Sequence, residues 1–416
     1  METDRVVIVG GGVIGLCSAY YALKRGFSVT ILEREAAGAD NCSMGNAGMI
    51  VPSHFIPLAA PGMMAKGLRW MFHPESPFYV RPRLSLELLR WGYLFYQNST
   101  PRHVADSRNL LRDLNLESRR LFAELAEDED FGLVTQGLLM LCKTQKGLDE
   151  EAEVAHEARE IGLVADVLDG AAAAALDPGV TMNVAGAVHF SQDCHLNPAR
   201  FMASMRRRVL AAGGQIVSGV KVDSMVLRGG KLAAVVAGAQ SYEGSKFVIA
   251  GGAWTAELLK CVGMKLPLQA GKGYSLTVNA PRQLPRLCSI FAEAKVAVTP
   301  MDGTLRFGGT MEVGARDLSI NPARVRGIVK SVNAYFPEFS ERDFEAVQPW
   351  AGLRPVSPDG IPYLGGIPAA RNLWVAGGHA MMGLSLAPVT GHLIACLLAE
   401  DRTFRPIDAM SPARFA

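Results

Sequence analysis

The sequence predicts an α/β protein: a discontinuous Rossmann-like nucleotide domain into which an α+β domain is inserted in pieces. Three observations carry this. An apolar run, Val6-Val7-Ile8-Val9, leads straight into Gly10-Gly11-Gly12-Val13-Ile14-Gly15. A second strand pattern, Ser28-Val29-Thr30-Ile31-Leu32, ends on the acid Glu33. Far along the chain, Phe247-Val248-Ile249-Ala250-Gly251-Gly252 and Leu373-Trp374-Val375-Ala376-Gly377-Gly378 again close apolar strands on glycines. Ligands of a doubly wound sheet sit at the carboxyl ends of its strands, so these ends address one extended ligand.

In the opening motif, Gly10 allows a tight turn and Gly12 lets backbone approach a pyrophosphate. Gly15 lets the next helix pack close to the sheet. The first amides of that helix face the phosphates with the positive end of its dipole. Glu33 is placed to accept from both ribose hydroxyls of an adenosine. Residues 41–50 are small, polar and glycine-rich, a backbone able to lie flat against a planar ring. Residues 57–82 read as an irregular excursion. Its Met63, Met64, Leu68, Trp70, Met71 and Phe72 are expected to pack under a helical insert, with a membrane-touching patch as the other reading.

Apolar residues at three- and four-residue spacing predict helices over 84–97 and 107–128. A charged surface helix follows over 150–161, then an Ala-rich stretch ending at Asp177-Pro178. Asn197 as N-cap and Pro198 at the first position open a helix over 198–212. His195, just before it, reads as structural rather than as a metal ligand or base. Alternation predicts paired strands over 215–226 and 232–237, with Arg228-Gly229-Gly230-Lys231 as their turn. A helix over 384–399 closes the chain. Residues 1–75, 147–262 and 346–416 are assigned to the nucleotide domain, and 76–146 and 263–345 to the inserted domain.

Lys+Arg 42 against Asp+Glu 40 leaves a net charge of +2, with no long basic block, so nucleic-acid binding has no electrostatic support. Seven scattered cysteines without a Cys-x-x-Cys pair argue against a disulfide framework or zinc site and fit a reducing cytoplasm. The opening apolar run is the glycine motif itself, which leaves no room for a signal peptide. The apolar stretch 373–389 is broken by His379, glycines and a proline, so membrane contact is expected to be peripheral at most, at the inner face. No metal site is expected.

Four motifs together resemble the FAD-dependent D-amino acid oxidase superfamily over nearly the whole chain. They are the opening motif, Cys42-Ser43-Met44-Gly45-Asn46-Ala47-Gly48-Met49, the run Trp350-Ala351-Gly352-Leu353-Arg354-Pro355-Val356-Ser357-Pro358-Asp359-Gly360, and Gly377-Gly378-His379-Ala380-Met381-Met382-Gly383-Leu384-Ser385-Leu386-Ala387-Pro388. The resemblance is greatest to bacterial D-amino acid dehydrogenases. Val51-Pro52-Ser53-His54-Phe55-Ile56-Pro57 is similar to members that oxidise cis-4-hydroxy-D-proline. The resemblance implies a D-amino acid oxidase-like fold, FAD as cofactor and oxidation by hydride removal from Cα, D-proline or cis-4-hydroxy-D-proline being favoured.

By motif position, Gly10, Gly12, Val13, Ile14 and Gly15 would hold the pyrophosphate, and Glu33 and Arg34 the adenosine end. Ser43, Asn46, Ala47, Gly48 and Met49 would lie along the flavin. Val222 would pair its backbone with adenine, and Gly251 and Trp254 would flank the dinucleotide. Amides from Gly378 through Met381 and Gly383 to Leu384 would face the isoalloxazine. Arg354 is the expected carboxylate anchor, because its fork can make two parallel charge-assisted bonds. His54 could contact a substrate hydroxyl, and Tyr274 and Met382 would line the substrate pocket. Lys272 is a weaker candidate for tuning the flavin. No catalytic acid or base is nominated.

The partners implied are an amino acid and an electron acceptor, open among quinone, dye and oxygen; a homo-oligomer is compatible. The alternatives are a flavoprotein subunit of a hetero-oligomeric amine dehydrogenase, or a glycine or sarcosine oxidase-type enzyme. An NAD-dependent dehydrogenase would leave the Gly45 and Gly378 segments without a role.

Overall fold

The computed structural model describes residues 4–71, 73–81, 83, 85–315 and 317–415. Its first sheet has six strands in the order Tyr363–Ile367, Ala370–Gly377, Lys246–Ile249, Arg5–Val9, Ser28–Glu33 and Gln215–Ser218. All pairings are parallel except the Tyr363–Ile367 edge hairpin. Strand side chains alternate between faces, so an all-apolar strand must be covered on both. Val6 and Ile8 pack with helices Val13–Lys24, Pro198–Ala211 and Ala387–Leu398. Val7 and Val9 pack on the other side with Leu232 and Val235 of a three-stranded sheet and Leu259. Each such burial contributes about 1.5–3 kcal/mol before chain entropy is counted.

The second sheet has nine strands. Trp350–Val356, Gln269–Asn279, Thr304–Val313, Val296–Met301, Cys288–Phe291, Leu138–Cys142, Gly186–Phe190 and Ala165–Asp169 follow in that order, and Phe78–Val80 pairs with Thr304–Val313. One face packs on helix Pro322–Tyr335 through Ile328 and Val332. This pairing crosses the expected divisions at 147 and 346. Ala165–Asp169 and Gly186–Phe190 extend the second sheet through Leu138–Cys142, and Trp350–Val356 forms its edge. Conversely, Leu110, Leu114, Leu121 and Phe122 of helix Pro101–Asp128 join the core of the nucleotide domain.

Other boundaries move for local reasons. Helix Pro101–Asp128 starts earlier than expected because Thr100 caps it, accepting from His103 N–H, with Pro101 in the first turn. The expected helix at 84–97 is Leu86–Asn98, capped by Ser85, and Leu84 lies outside the described residues. Gly219, at φ +76°, splits the 215–226 run into Gln215–Ser218 and Ser224–Arg228, which join different sheets. Gly229 and Gly230, at φ +57° and +72°, form the expected hairpin turn. Within 57–82 the chain forms helix Met63–Met71, whose Met63 and Trp70 face the central cavity while Met64 and Leu68 are exposed; Phe72 lies outside the described residues. No helix among the described residues is long and apolar enough to cross a membrane. All seven cysteines are free.

Candidate active site

A cavity of about 960 Å³ runs from the carboxyl ends of the first sheet's strands to the face of the second sheet. Its floor depends on two glycines. Gly10 sits at φ +114°, where an added Cβ would run into the Ala250 carbonyl, and a Cβ on Gly15 would meet the Gly10 carbonyl. Gly15 is thus a packing residue behind the wall, whereas Gly10, Gly12, Val13 and Ile14 form the wall itself. The helix beginning at Val13 has no side-chain cap from Gly12 and no acid in its first turn. Ser43 Oγ, from the 41–50 loop, accepts the Val13 N–H at 3.0 Å. A terminus free of acids, with only the neutral Ser43 hydroxyl on its first amide, suits an anionic group.

Glu33 lies at the adjoining end. Its carboxylate accepts from Gly11 N–H at 2.6 Å and Glu35 N–H at 2.8 Å, which fixes it in the wall with lone pairs to spare. Arg34 stacks 3.8 Å from the Trp254 ring centre at the same end, beside Val222 and Gly251. Val222 lies in the loop opened by Gly219 rather than in a strand; its neighbours Val220 and Asp223 donate to Glu33 and Val236 carbonyls.

Midway, Asn46, Ala47 and Met49 line the cavity. Arg306 pins this loop by donating from Nη1 to the Met44 carbonyl at 2.9 Å and the Asn46 carbonyl at 2.7 Å. The Trp350 ring covers both Gly45 and Gly352, where a Cβ would enter it. Gly48, at φ +78°, packs on the Leu196 carbonyl, and Gly378, at φ +74°, on the Tyr363 ring; neither is in the wall. Met381 and Met382, in a 3-10 turn Ala380–Met382, and Gly383 and Leu384 just after it line the cavity; the helix expected from 384 begins at Ala387, with Pro388 in its first turn.

At the far end Arg354 enters from the edge strand Trp350–Val356. Its guanidinium lies over Gly273, which leaves no room for a side chain there. Nη1 donates to the Thr310 carbonyl at 2.7 Å. That carbonyl is presented by a β-bulge, two residues standing opposite Gly273 where Lys272 pairs Glu312 and Tyr274 pairs Gly309, with Thr310 at φ +66°. No described Asp or Glu forms an ion pair with Arg354. Burial pulls its pKa below the ordinary value, with Cys42 acting the other way. An enclosed guanidinium without a described counter-ion has the charge and the planar fork that suit a carboxylate. His54, Met381, Met382, Lys295 and Thr310 line the same cavity, and Lys295 and Thr310 are additions to the sequence reading.

Two candidates are held by protein partners. Tyr274 lines the cavity but is 1 % exposed, and its hydroxyl is engaged, donating to Glu312 Oε1 at 2.8 Å. Lys272, on the same strand face, donates to the Ser319 carbonyl at 2.8 Å and pairs with Asp317 and Glu312 at 3.3 and 3.7 Å, so it does not reach the wall. Tyr274→Phe is therefore expected to cost about 1.5–3 kcal/mol of stability, as for a bond to a buried charge, with KM changed less than about threefold. Denaturant unfolding and steady-state kinetics check this. His195 is buried against Met49's strand, and burial holds its pKa down to about 4, so it is a neutral packing residue.

Comparison with known proteins agrees with this geometry. The DAO family model, described as FAD dependent oxidoreductase, matches residues 5–397. The chain is 31% identical over 405 residues to a D-amino acid dehydrogenase of Rhizorhabdus wittichii, covering 96% of this chain and 97% of that protein. It is 30% identical over 437 residues to a D-amino acid dehydrogenase of Cereibacter sphaeroides, covering 99% and 100%. Among solved structures, glycine oxidase from Geobacillus kaustophilus superposes with a TM-score of 0.78 at 27% identity, over 100% of both chains. L-proline dehydrogenase from P. horikoshii shares the fold at a TM-score of 0.76 and 17% identity, over 100% of this chain and 98% of that one.

Proposed function

The chain belongs to the DAO family of FAD-dependent oxidoreductases, and from that premise we propose that it is a D-amino acid dehydrogenase favouring D-proline or cis-4-hydroxy-D-proline. The observation that carries the reading is Arg354, an enclosed guanidinium whose one hydrogen-bond partner among the described residues is a carbonyl. FAD, when bound, supplies acceptance of two electrons and a proton as a hydride. The chain's own residues do the rest.

Gly10, Gly12 and the amides from Val13 would hold the pyrophosphate, Glu33 the ribose, and Arg34 with Trp254 the adenosine end. Ser43, Asn46, Ala47 and Met49 would lie along the flavin. Arg354 would fix the substrate carboxylate, which sets Cα in place for the chemistry. Met381 and Met382 make the wall beside it apolar and deformable, which suits a pyrrolidine ring better than glycine. The two full-length relatives named for D-amino acids support the stereochemistry.

The test is product formation by the purified, FAD-loaded chain alone, with a redox dye, in air and without it. Oxidation of the D-prolines over L-proline, dependent on dye, is expected. L-preference would overturn the reading. Turnover of glycine or sarcosine with peroxide would favour an oxidase like the Geobacillus neighbour. A flavin-loaded chain without turnover would point to a dependent subunit.

A further inference from the structure

His54, Ser53 and Asp193 form a connected polar path leading from the cavity into the protein. Ser53 Oγ lies 2.5 Å from Asp193 Oδ2 and 3.2 Å from His54 Nδ1, and Ser53 N–H donates to Asp193 Oδ1 at 3.0 Å. Asp193 is fully buried, 140 residues along the chain from Ser53. His54 lines the cavity, and no described residue bonds its Nε2. Ser53 has a single hydroxyl hydrogen. While Asp193 is ionised, that hydrogen goes to the carboxylate, so Ser53 Oγ can only accept from His54. His54 then carries its proton on Nδ1 and turns a bare Nε2 lone pair to the cavity.

We propose that these three residues are a proton relay that deprotonates the substrate's ammonium group, directly or through one water, and stores the proton on Asp193. The proposal rests on the amino-acid reading above. The ammonium N–H breaks as Nε2–H forms. The Nδ1 proton passes to Ser53 Oγ, and the Ser53 proton passes to Asp193 Oδ2. The substrate amine is left with the lone pair that its oxidation requires, and an imidazolium never has to exist inside the protein. Burial opposes that cation, holding His54 down to about 4, and raises Asp193 to about 7, with the Ser53 bonds pulling against it. The same desolvation lowers a bound ammonium, so donor and acceptor approach each other. The charged or titratable groups facing the path are few. Arg119 of helix Pro101–Asp128 acts on Asp193, Lys295 at the cavity acts on His54, and the thiols of Cys194 and Cys288 are held neutral by burial.

The test uses the FAD-loaded protein and two readouts. In the first, anaerobic loss of flavin absorbance is followed against pH with a D-amino acid. For the unsubstituted protein the rate is expected to level off above about pH 7. Asp193→Asn and Ser53→Ala are expected to be roughly 500- to 1,000-fold slower at pH 7 and to recover about tenfold per pH unit towards an alkylammonium pKa of ~10. An equal loss at every pH, or none, would overturn the relay, since a structural defect does not repair itself with pH. The second readout needs no substrate: ¹⁵N spectra of the His54 ring. Conversion from the Nδ1–H to the Nε2–H tautomer as pH falls through about 7 is expected. A ring that keeps one tautomer, or charges to imidazolium, would overturn it. If no D-amino acid reduces the unsubstituted protein, the amine assignment falls with the reading it rests on; if the unsubstituted protein is reduced and the variant ratio is flat, the relay alone falls.

Discussion

Arg354→Ala is expected to lower kcat/KM for a D-amino acid roughly thirty- to several-thousandfold, about 2–5 kcal/mol, as for truncating one partner of a buried charge pair. Arg354 spends one N–H on the Thr310 carbonyl and has no described carboxylate, so a substrate carboxylate would be its only full counter-charge. Removing it strands that anion in an enclosed site. Arg354→Lys keeps charge but loses the planar fork, so it is expected to rescue only part of the loss. Flavin absorbance per chain is expected to stay unchanged in both, separating substrate loss from cofactor loss. A change below about threefold in KM would remove Arg354 from the role, because breaking a buried pair costs far more than that.

Gly10→Ala is expected to abolish FAD retention and to destabilise the fold by about 2–5 kcal/mol, the sum of left-handed backbone strain and overpacking. The new Cβ would meet the Ala250 carbonyl, on the strand end that itself faces the cavity. Gly26→Ala is the control. It too sits at positive φ, +84°, but has open space around it, so it bears the strain alone and should keep its flavin. Visible absorbance and denaturant unfolding of the two variants distinguish a lost cradle from a general intolerance of side chains at positive φ.

The sequence made the nucleotide end of the site legible because its requirements are local. A strand ending in Gly10, Gly251 or Gly377 announces close backbone approach without reference to any other part of the chain. Arg354 was legible from its motif, although its carbonyl partner was not, since Thr310 reaches it only through a bulge. Tyr274 was legible as a residue of the cavity wall, but the Glu312 partner of its hydroxyl, on the neighbouring strand, was not. Sheet membership is not legible where short strands recruit distant partners: nothing local in Ala165–Asp169 tells which sheet it extends. The Ser53–Asp193 contact is of the same kind, a long-range meeting of two ordinary polar residues.

Anaerobic mixing of the purified yellow protein with D-proline, cis-4-hydroxy-D-proline, D-alanine, L-proline, glycine and sarcosine tests the account most directly. Rapid bleaching of the flavin by the D-prolines, slower bleaching by D-alanine and none by L-proline is the predicted result. Bleaching by L-proline alone, or by none of the six while the flavin remains reducible by dithionite, would contradict it.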